Sequence, residues 1–205
     1  GSSGTAVGFG ALSSNTTASN NTAVGYNAGT ANTTGSENSF FGMTTAQYNT
    51  TGYNNSAFGV QALRYNTTGV ELSAFGRSAL YSNSTGGYNT AVGSSALQNN
   101  TTASNNTALG YQAGYTTSTG ASSVFIGYKA GFGGSDVDST VAIGAEALSS
   151  MTGVGGDANV AIGRQALYSN TTASGNVAIG FQAAFSSTTA SNLVAVGYQA
   201  SRAIT

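Results

Sequence analysis

The sequence predicts an all-β fold, a parallel β-solenoid of twelve coils of about 17 residues that forms one repeat domain over positions 1–205. Three observations carry the prediction. A Gly recurs at a fixed interval, apolar residues keep phase with it, and half of the chain is Gly, Ser, Thr and Asn (30, 28, 28 and 20 of 205). That composition alone resembles a flexible linker, but a linker has no reason to hold apolar residues in register.

The recurring Gly occupies Gly8, Gly25, Gly42, Gly59, Gly76, Gly93, Gly110, Gly127, Gly144, Gly163, Gly180 and Gly197. Ten of the eleven spacings are 17 residues; the exception, Gly144 to Gly163, is 19. A two-residue insertion in Met151-Thr152-Gly153-Val154-Gly155-Gly156 explains it, so the repeat-length irregularity falls within 145–163. A continuous helix would not keep these apolar residues on one face, because 17 residues are about 4.7 turns. A continuous strand would turn its face over at every odd-length repeat. A closed coil remains.

Each element of the coil follows from the repeat. The residues that end at the Gly, such as Val177-Ala178-Ile179-Gly180, predict a first strand, and the five after it a second. The Gly is the corner, where a Cβ or a negative φ is not tolerated. Asn-Thr-Thr stretches beginning at Asn15, Asn32, Asn49, Asn66, Asn100 and Asn170 predict the turns. Alternation places Val177 and Ile179 on one face and Ala178 on the other. The Val/Ile face is assigned to the interior, and the small Ala face to close approach by another wall or subunit. The first strand position is Thr or Ser up to Thr107 and Val from Val124 onward, two sub-regions of one solenoid.

Composition also excludes chemistries. The chain has no His, Cys, Trp or Pro, so disulfides, thiol nucleophiles, His-based triads and His/Cys metal sites are out. Five cations (Arg64, Arg77, Lys129, Arg164, Arg202) make no patch for nucleic acid. The six acids are too scattered for paired-carboxylate catalysis. The expectation is no enzyme, no catalytic residue, no cofactor and no metal. Like charges stacked coil on coil would repel, which accounts for a charged fraction of only 5%.

Asn176-Val177-Ala178-Ile179-Gly180 and Asn159-Val160-Ala161-Ile162-Gly163 resemble the repeats of YadA-like heads in trimeric autotransporter adhesins. Asn89-Thr90-Ala91-Val92-Gly93, with Asn100-Thr101-Thr102 after it, is similar to repeats of phage tail fibres. The resemblance runs through all twelve units. It implies a left-handed β-roll in a homotrimer outside the cell, on a virion tail fibre or a bacterial surface, that attaches to a host receptor or surface glycan. The 17-residue period departs from the shorter bacterial unit of about 14 residues and favours the phage branch. No initiator Met, signal peptide, heptad stretch or 18-residue apolar span is present, so this segment is not expected to enter a membrane. It is expected to be part of a longer fibre, with end-to-end joining of trimers left open by the resemblance.

Candidate surface residues are the aromatics that recur just after the corner and four residues on: Tyr111 with Tyr115, Tyr128 with Phe132, Phe181 with Phe185, and Tyr198. Stacking should put Tyr115 beside Phe132 and Tyr111 beside Tyr128, either as a glycan-binding ladder or as packing in the core or trimer interface, the more frequent role of such ladders. Arg64 and Tyr81, equivalent in adjacent coils, are expected to form a cation–π pair. Asp136-Val137-Asp138 has the oxygen content of a Ca²⁺ loop without its spacing, so a solvated turn is expected. The sequence therefore points to a non-enzymatic adhesive or structural fibre. The alternative is an ice-binding solenoid using the Thr pairs at Thr16, Thr50, Thr67 and Thr101.

Overall fold

The computed structural model describes residues 4–152 and 155–202, so Gly153 and Val154 of the irregular loop lie outside the described residues. The chain is an all-β parallel solenoid. Its strands are β1 (Thr5–Val7), β2 (Thr22–Val24), β3 (Ser39–Phe41), β4 (Ser56–Phe58), β5 (Ser73–Phe75), β6 (Thr90–Val92), β7 (Thr107–Leu109), β8 (Val124–Ile126), β9 (Val141–Ile143), β10 (Val160–Ile162), β11 (Val177–Ile179) and β12 (Val194–Val196). They pair in chain order in a single twelve-stranded sheet. Equivalent residues face each other, as Thr22 does Ser39 and Val177 does Val194. No helix is present among the described residues.

Each strand is short because both of its ends are conformationally blocked. Five residues before the corner the backbone is left-handed, as at Asn54 (φ 55°) and Glu71 (φ 56°). The corner itself is also at positive φ. At Gly76 φ is 138°, and a Cβ there would lie 2.5 Å from the carbonyl oxygen of Gly93 one coil on. Conformation and space both require Gly at that point.

The expected second strand is absent, and the reason lies in the side chains. Ala62 and Leu63 are adjacent in sequence and both fully buried, as are Ala79 with Leu80 and Ala96 with Leu97. Consecutive strand residues point to opposite faces, so a strand could bury only one of each pair. The chain instead makes two successive turns after the corner, closed by Ala62 N–H to Gly59 O (3.3 Å) and Asn66 N–H to Leu63 O (3.1 Å). The φ angle is left-handed at Gln61 (62°) and Leu63 (52°). Amides of this wall still bond across coils, Leu63 N–H to Ala79 O and Tyr65 N–H to Tyr81 O, both at 3.0 Å.

The strand faces are the reverse of the sequence expectation. The central Ala of the strand is inside: Ala23, Ala57, Ala74, Ala91, Ala108, Ala142, Ala161 and Ala178 are fully buried. The flanking Val, Ile, Phe, Thr and Ser point outward, half-buried or exposed. In the coils of Leu63, Leu80, Leu97, Leu148 and Leu167 the turn wall already projects an Ala and a Leu into the layer, which leaves room for only a methyl group from the strand. Volume is balanced from coil to coil. Where the Leu of the turn wall becomes Gly, at Gly114 and Gly131, Phe125 takes the place of the strand Ala and fills the gap. A Cβ on either Gly would strike the Phe125 ring. Phe40 does the same beside Gly29.

The asparagines that open the Asn-Thr-Thr stretches, and those just ahead of the strand, point inward from their turns. One ladder runs through Asn32, Asn49, Asn66, Asn83 and Asn100, all fully buried. Each Nδ2 donates to the Oδ1 one coil back, at 2.8 Å (Asn49 to Asn32), 2.6 Å (Asn66 to Asn49), 2.8 Å (Asn83 to Asn66) and 2.7 Å (Asn100 to Asn83). The same nitrogen donates to a carbonyl three residues on, as Asn66 does to Gly69 O at 3.0 Å. A second ladder holds the backbone ahead of the strand. Asn38 Nδ2 donates to Gly52 O, and Asn38 Oδ1 accepts the Asn55 amide. A short primary amide supplies both donor and acceptor, so it satisfies a buried backbone while continuing the stack.

The irregular loop stays within this scheme. Thr152 N–H bonds Thr171 O across a 19-residue offset, while Asp157 N–H reaches Ser174 Oγ across 17. The two extra residues are therefore taken up between 152 and 157. Met151, buried, takes the row position that Asn100 holds in its coil.

Candidate interaction surface

Two outward surfaces follow from the fold. The first is the solvent face of the sheet, made of two rows. One row is the first strand residue, Ser or Thr through β7 and Val from β8 to β12. The other is the last, which includes the stacked Phe41, Phe58 and Phe75, with centroids 4.7 and 4.9 Å apart. From β8 on both rows are aliphatic, Val124, Val141, Val160, Val177 and Val194 beside Ile126, Ile143, Ile162, Ile179 and Val196. Ten apolar side chains thus line one outward face without a polar side chain among them, seven half-buried and three (Ile179, Val194, Val196) exposed.

The second surface lies on the turn wall and carries the candidate aromatics. The structure brings together Tyr111 with Tyr128 (5.7 Å), Tyr115 with Phe132 (5.2 Å) and Phe181 with Tyr198 (5.3 Å); Phe185 stacks on Tyr168 (5.1 Å). All are near-parallel, within 14°. Tyr111, Tyr128 and Tyr198 are exposed, whereas Tyr115, Phe132, Phe181 and Phe185 are half-buried. In such a stack each ring covers the face of its neighbour. These stacks are pairs, so one face of each ring is used within the chain, and the exposed Tyr111, Tyr128 and Tyr198 present their hydroxyls and ring edges outward.

The cations complete these stacks. Arg164 lies over Phe181 and Arg202 over Phe185, each at 5.9 Å, and Lys129 lies over Tyr128 and Phe132 at 5.4 and 5.2 Å. Arg64 departs from expectation. Its guanidinium sits over Tyr65 (5.3 Å) and Tyr48 (6.0 Å), not over Tyr81, whose hydroxyl only accepts a long 3.5 Å hydrogen bond from it. Arg64 Nε is held by Gln47 Oε1 at 3.1 Å, which directs the group back along its own row. The phenol of Tyr65 is held above its ordinary pKa, mainly by its hydrogen bond to Tyr81, against the opposing charge of Arg64. Four of the five cations are thus placed on rings of their own chain.

Four of the six acids, Asp136, Asp138, Glu146 and Asp157, accept hydrogen bonds within the rows they occupy. Asp138 Oδ1 accepts the Ala121 amide at 2.6 Å and Asp157 Oδ1 the Asp138 amide at 3.0 Å. Ser36 and Ser104 serve the equivalent amides in other coils. Asp136 accepts from Thr119 Oγ1. Among the described residues no three acidic side chains come together as a metal cage would require. Glu146 begins a ladder that the sequence reading missed, Gln165 to Glu146, Gln182 to Gln165 and Gln199 to Gln182, at 2.8, 2.8 and 3.0 Å. Its signal was a Gln kept two residues after the corner.

The Thr pairs are divided. The first hydroxyl of each donates to the next coil, as Thr50 Oγ1 does to Thr67 O and Thr101 Oγ1 to Ser118 O. The second, at Thr34, Thr51, Thr68, Thr85 and Thr102, is exposed in single file. Comparison with known proteins adds no relative: no family model, curated protein or solved structure matches the chain.

Proposed function

We propose that the chain is a segment of an extracellular fibre, a left-handed β-roll assembled as a homotrimer of 17-residue coils. It acts as the shaft or head of a tail fibre or surface adhesin and carries no catalytic step. The carrying observation is the outward aliphatic face of β8–β12 on a regular solenoid. A face of this kind is stable in water when covered, and copies of the same chain lying parallel present matching rows to one another. Three strands side by side would also project the hydroxyl- and amide-rich turn walls outward, where trivalence multiplies a weak contact with a receptor or glycan.

The proposal is tested by coating beads with the segment and measuring adhesion to glycan arrays and intact cells. Adhesion lost on dissociation of the trimer is the expected result. Equal adhesion by trimer and monomer, or none to any surface, overturns the attachment role. The outward file of Thr34, Thr51, Thr68, Thr85 and Thr102 supports ice binding as a second reading. Thermal hysteresis at micromolar protein would favour it, and absence of hysteresis removes it.

A further inference from the structure

The chain has no Cys, so no disulfide can tie one coil to the next. Tyr is the side chain that can be joined oxidatively across coils, and stacking sorts the eleven Tyr into classes. Tyr111 and Tyr128 lie face to face at 5.7 Å and 14°, each 48% exposed. Tyr48 and Tyr65 lie at 5.1 Å and 4°, each 41% exposed. Tyr26, Tyr115, Tyr168 and Tyr198 stack instead on Phe9, Phe132, Phe185 and Phe181, which cannot form a phenoxyl radical. Tyr65 meets Tyr81 edge-on at 83°.

We infer that Tyr111–Tyr128 and Tyr48–Tyr65 are sites of intrachain dityrosine formation by a one-electron oxidant, covalent staples between adjacent coils. Each phenol gives up one electron and its hydroxyl proton to become a phenoxyl radical. The two radicals join through a new Cε–Cε bond. Each joined carbon then loses its hydrogen as the ring regains its aromaticity and its O–H. In net terms two C–H bonds are replaced by one C–C bond, and two electrons and two protons leave. Persulfate is a sufficient acceptor, taking the two electrons to become two sulfates. The parallel register holds the two rings of each pair near-parallel, with centroids 5.7 and 5.1 Å apart, before oxidation, so no search of the chain is needed. This inference stands apart from the proposed assembly, because both pairs lie within one chain.

The test is photo-oxidation of the folded protein with a ruthenium bipyridyl complex and persulfate, on an equal mixture of ¹⁵N-labelled and unlabelled chains. Expected are blue dityrosine emission and a loss of two hydrogen masses per link. Peptide mapping should join 48 to 65 and 111 to 128, in all-light or all-heavy pairs only. Tyr128→Phe should lose the second link and keep the first. Links of mixed isotope, links mainly at unstacked Tyr53 and Tyr88, or dityrosine from urea-unfolded but not folded chain would overturn the inference. The wild-type map decides the matter even should the variant misfold.

Discussion

At the scale of single residues, the fold depends on positions where a side-chain atom more or less is decisive. Gly76→Ala places a Cβ against the Gly93 carbonyl at a φ that Ala avoids, and is expected to cost about 3 kcal/mol or more. Gly87→Ala is the control. Gly87 is not at positive φ, and the same row carries Val70, Ser104 and Ala121 elsewhere, so the cost should stay within about 0.5 kcal/mol. Urea unfolding midpoints of the two variants give the comparison. Asn66→Ala removes the donor to Asn49 and Gly69 and the acceptor for Asn83. The expected loss is about 2–4 kcal/mol, read in the same unfolding curve. The corner glycines were legible in the sequence from phase alone. The asparagines were not, because Asn is ordinarily a turn residue. Asn32, Asn49, Asn66, Asn83 and Asn100 hold the same strict phase as the corners, but phase alone does not say that the side chains point inward and stack.

At the scale of elements, each coil is one strand and a wall of turns, and the two exchange volume. Gly131→Leu alone should overpack against Phe125, and Phe125→Ala alone should leave a cavity, at about 3 kcal/mol or more for the latter. Together they restore the Ala and Leu pattern of Ala142 with Leu148, since Leu is at home at this φ in Leu148 (53°). The double variant is therefore expected to recover the part of the loss that falls beside Gly131, while the space that Phe125 fills beside Gly114 stays empty, with a coupling energy of about 1–2 kcal/mol in a double-mutant cycle. Additive losses would contradict the volume exchange. The strand before each corner was legible from the apolar residue kept in phase with the Gly, but its facing was not. Alternation says that Val177 and Ile179 differ from Ala178; it does not say which side is the interior. The adjacent pair Ala166-Leu167, both buried, decides it by excluding a strand after the corner and filling the interior from the turn wall.

At the scale of the whole molecule, stacking of like on like governs both composition and shape. A scarce charge is tolerated where a ring or an amide row receives it, as for Arg164 over Phe181 and Glu146 beside Gln165. Twelve strands at about 4.8 Å give a rod of roughly 55 Å. A period constrains how a chain stacks on itself but carries no information about copies beside it, so handedness and trimer enter through resemblance. The outward aliphatic rows, and not the buried Ala face, give the proposed trimer a physical motive. Val141→Lys with Val177→Lys, two outward positions kept apart by the coil of Val160 so that the charges do not stack, should abolish self-association while the far-UV spectrum of the solenoid is retained. Light scattering coupled to size exclusion tests the account most directly. The 20.2 kDa chain should elute as an elongated particle of three times that mass, and a stable, folded monomer at micromolar concentration would contradict it.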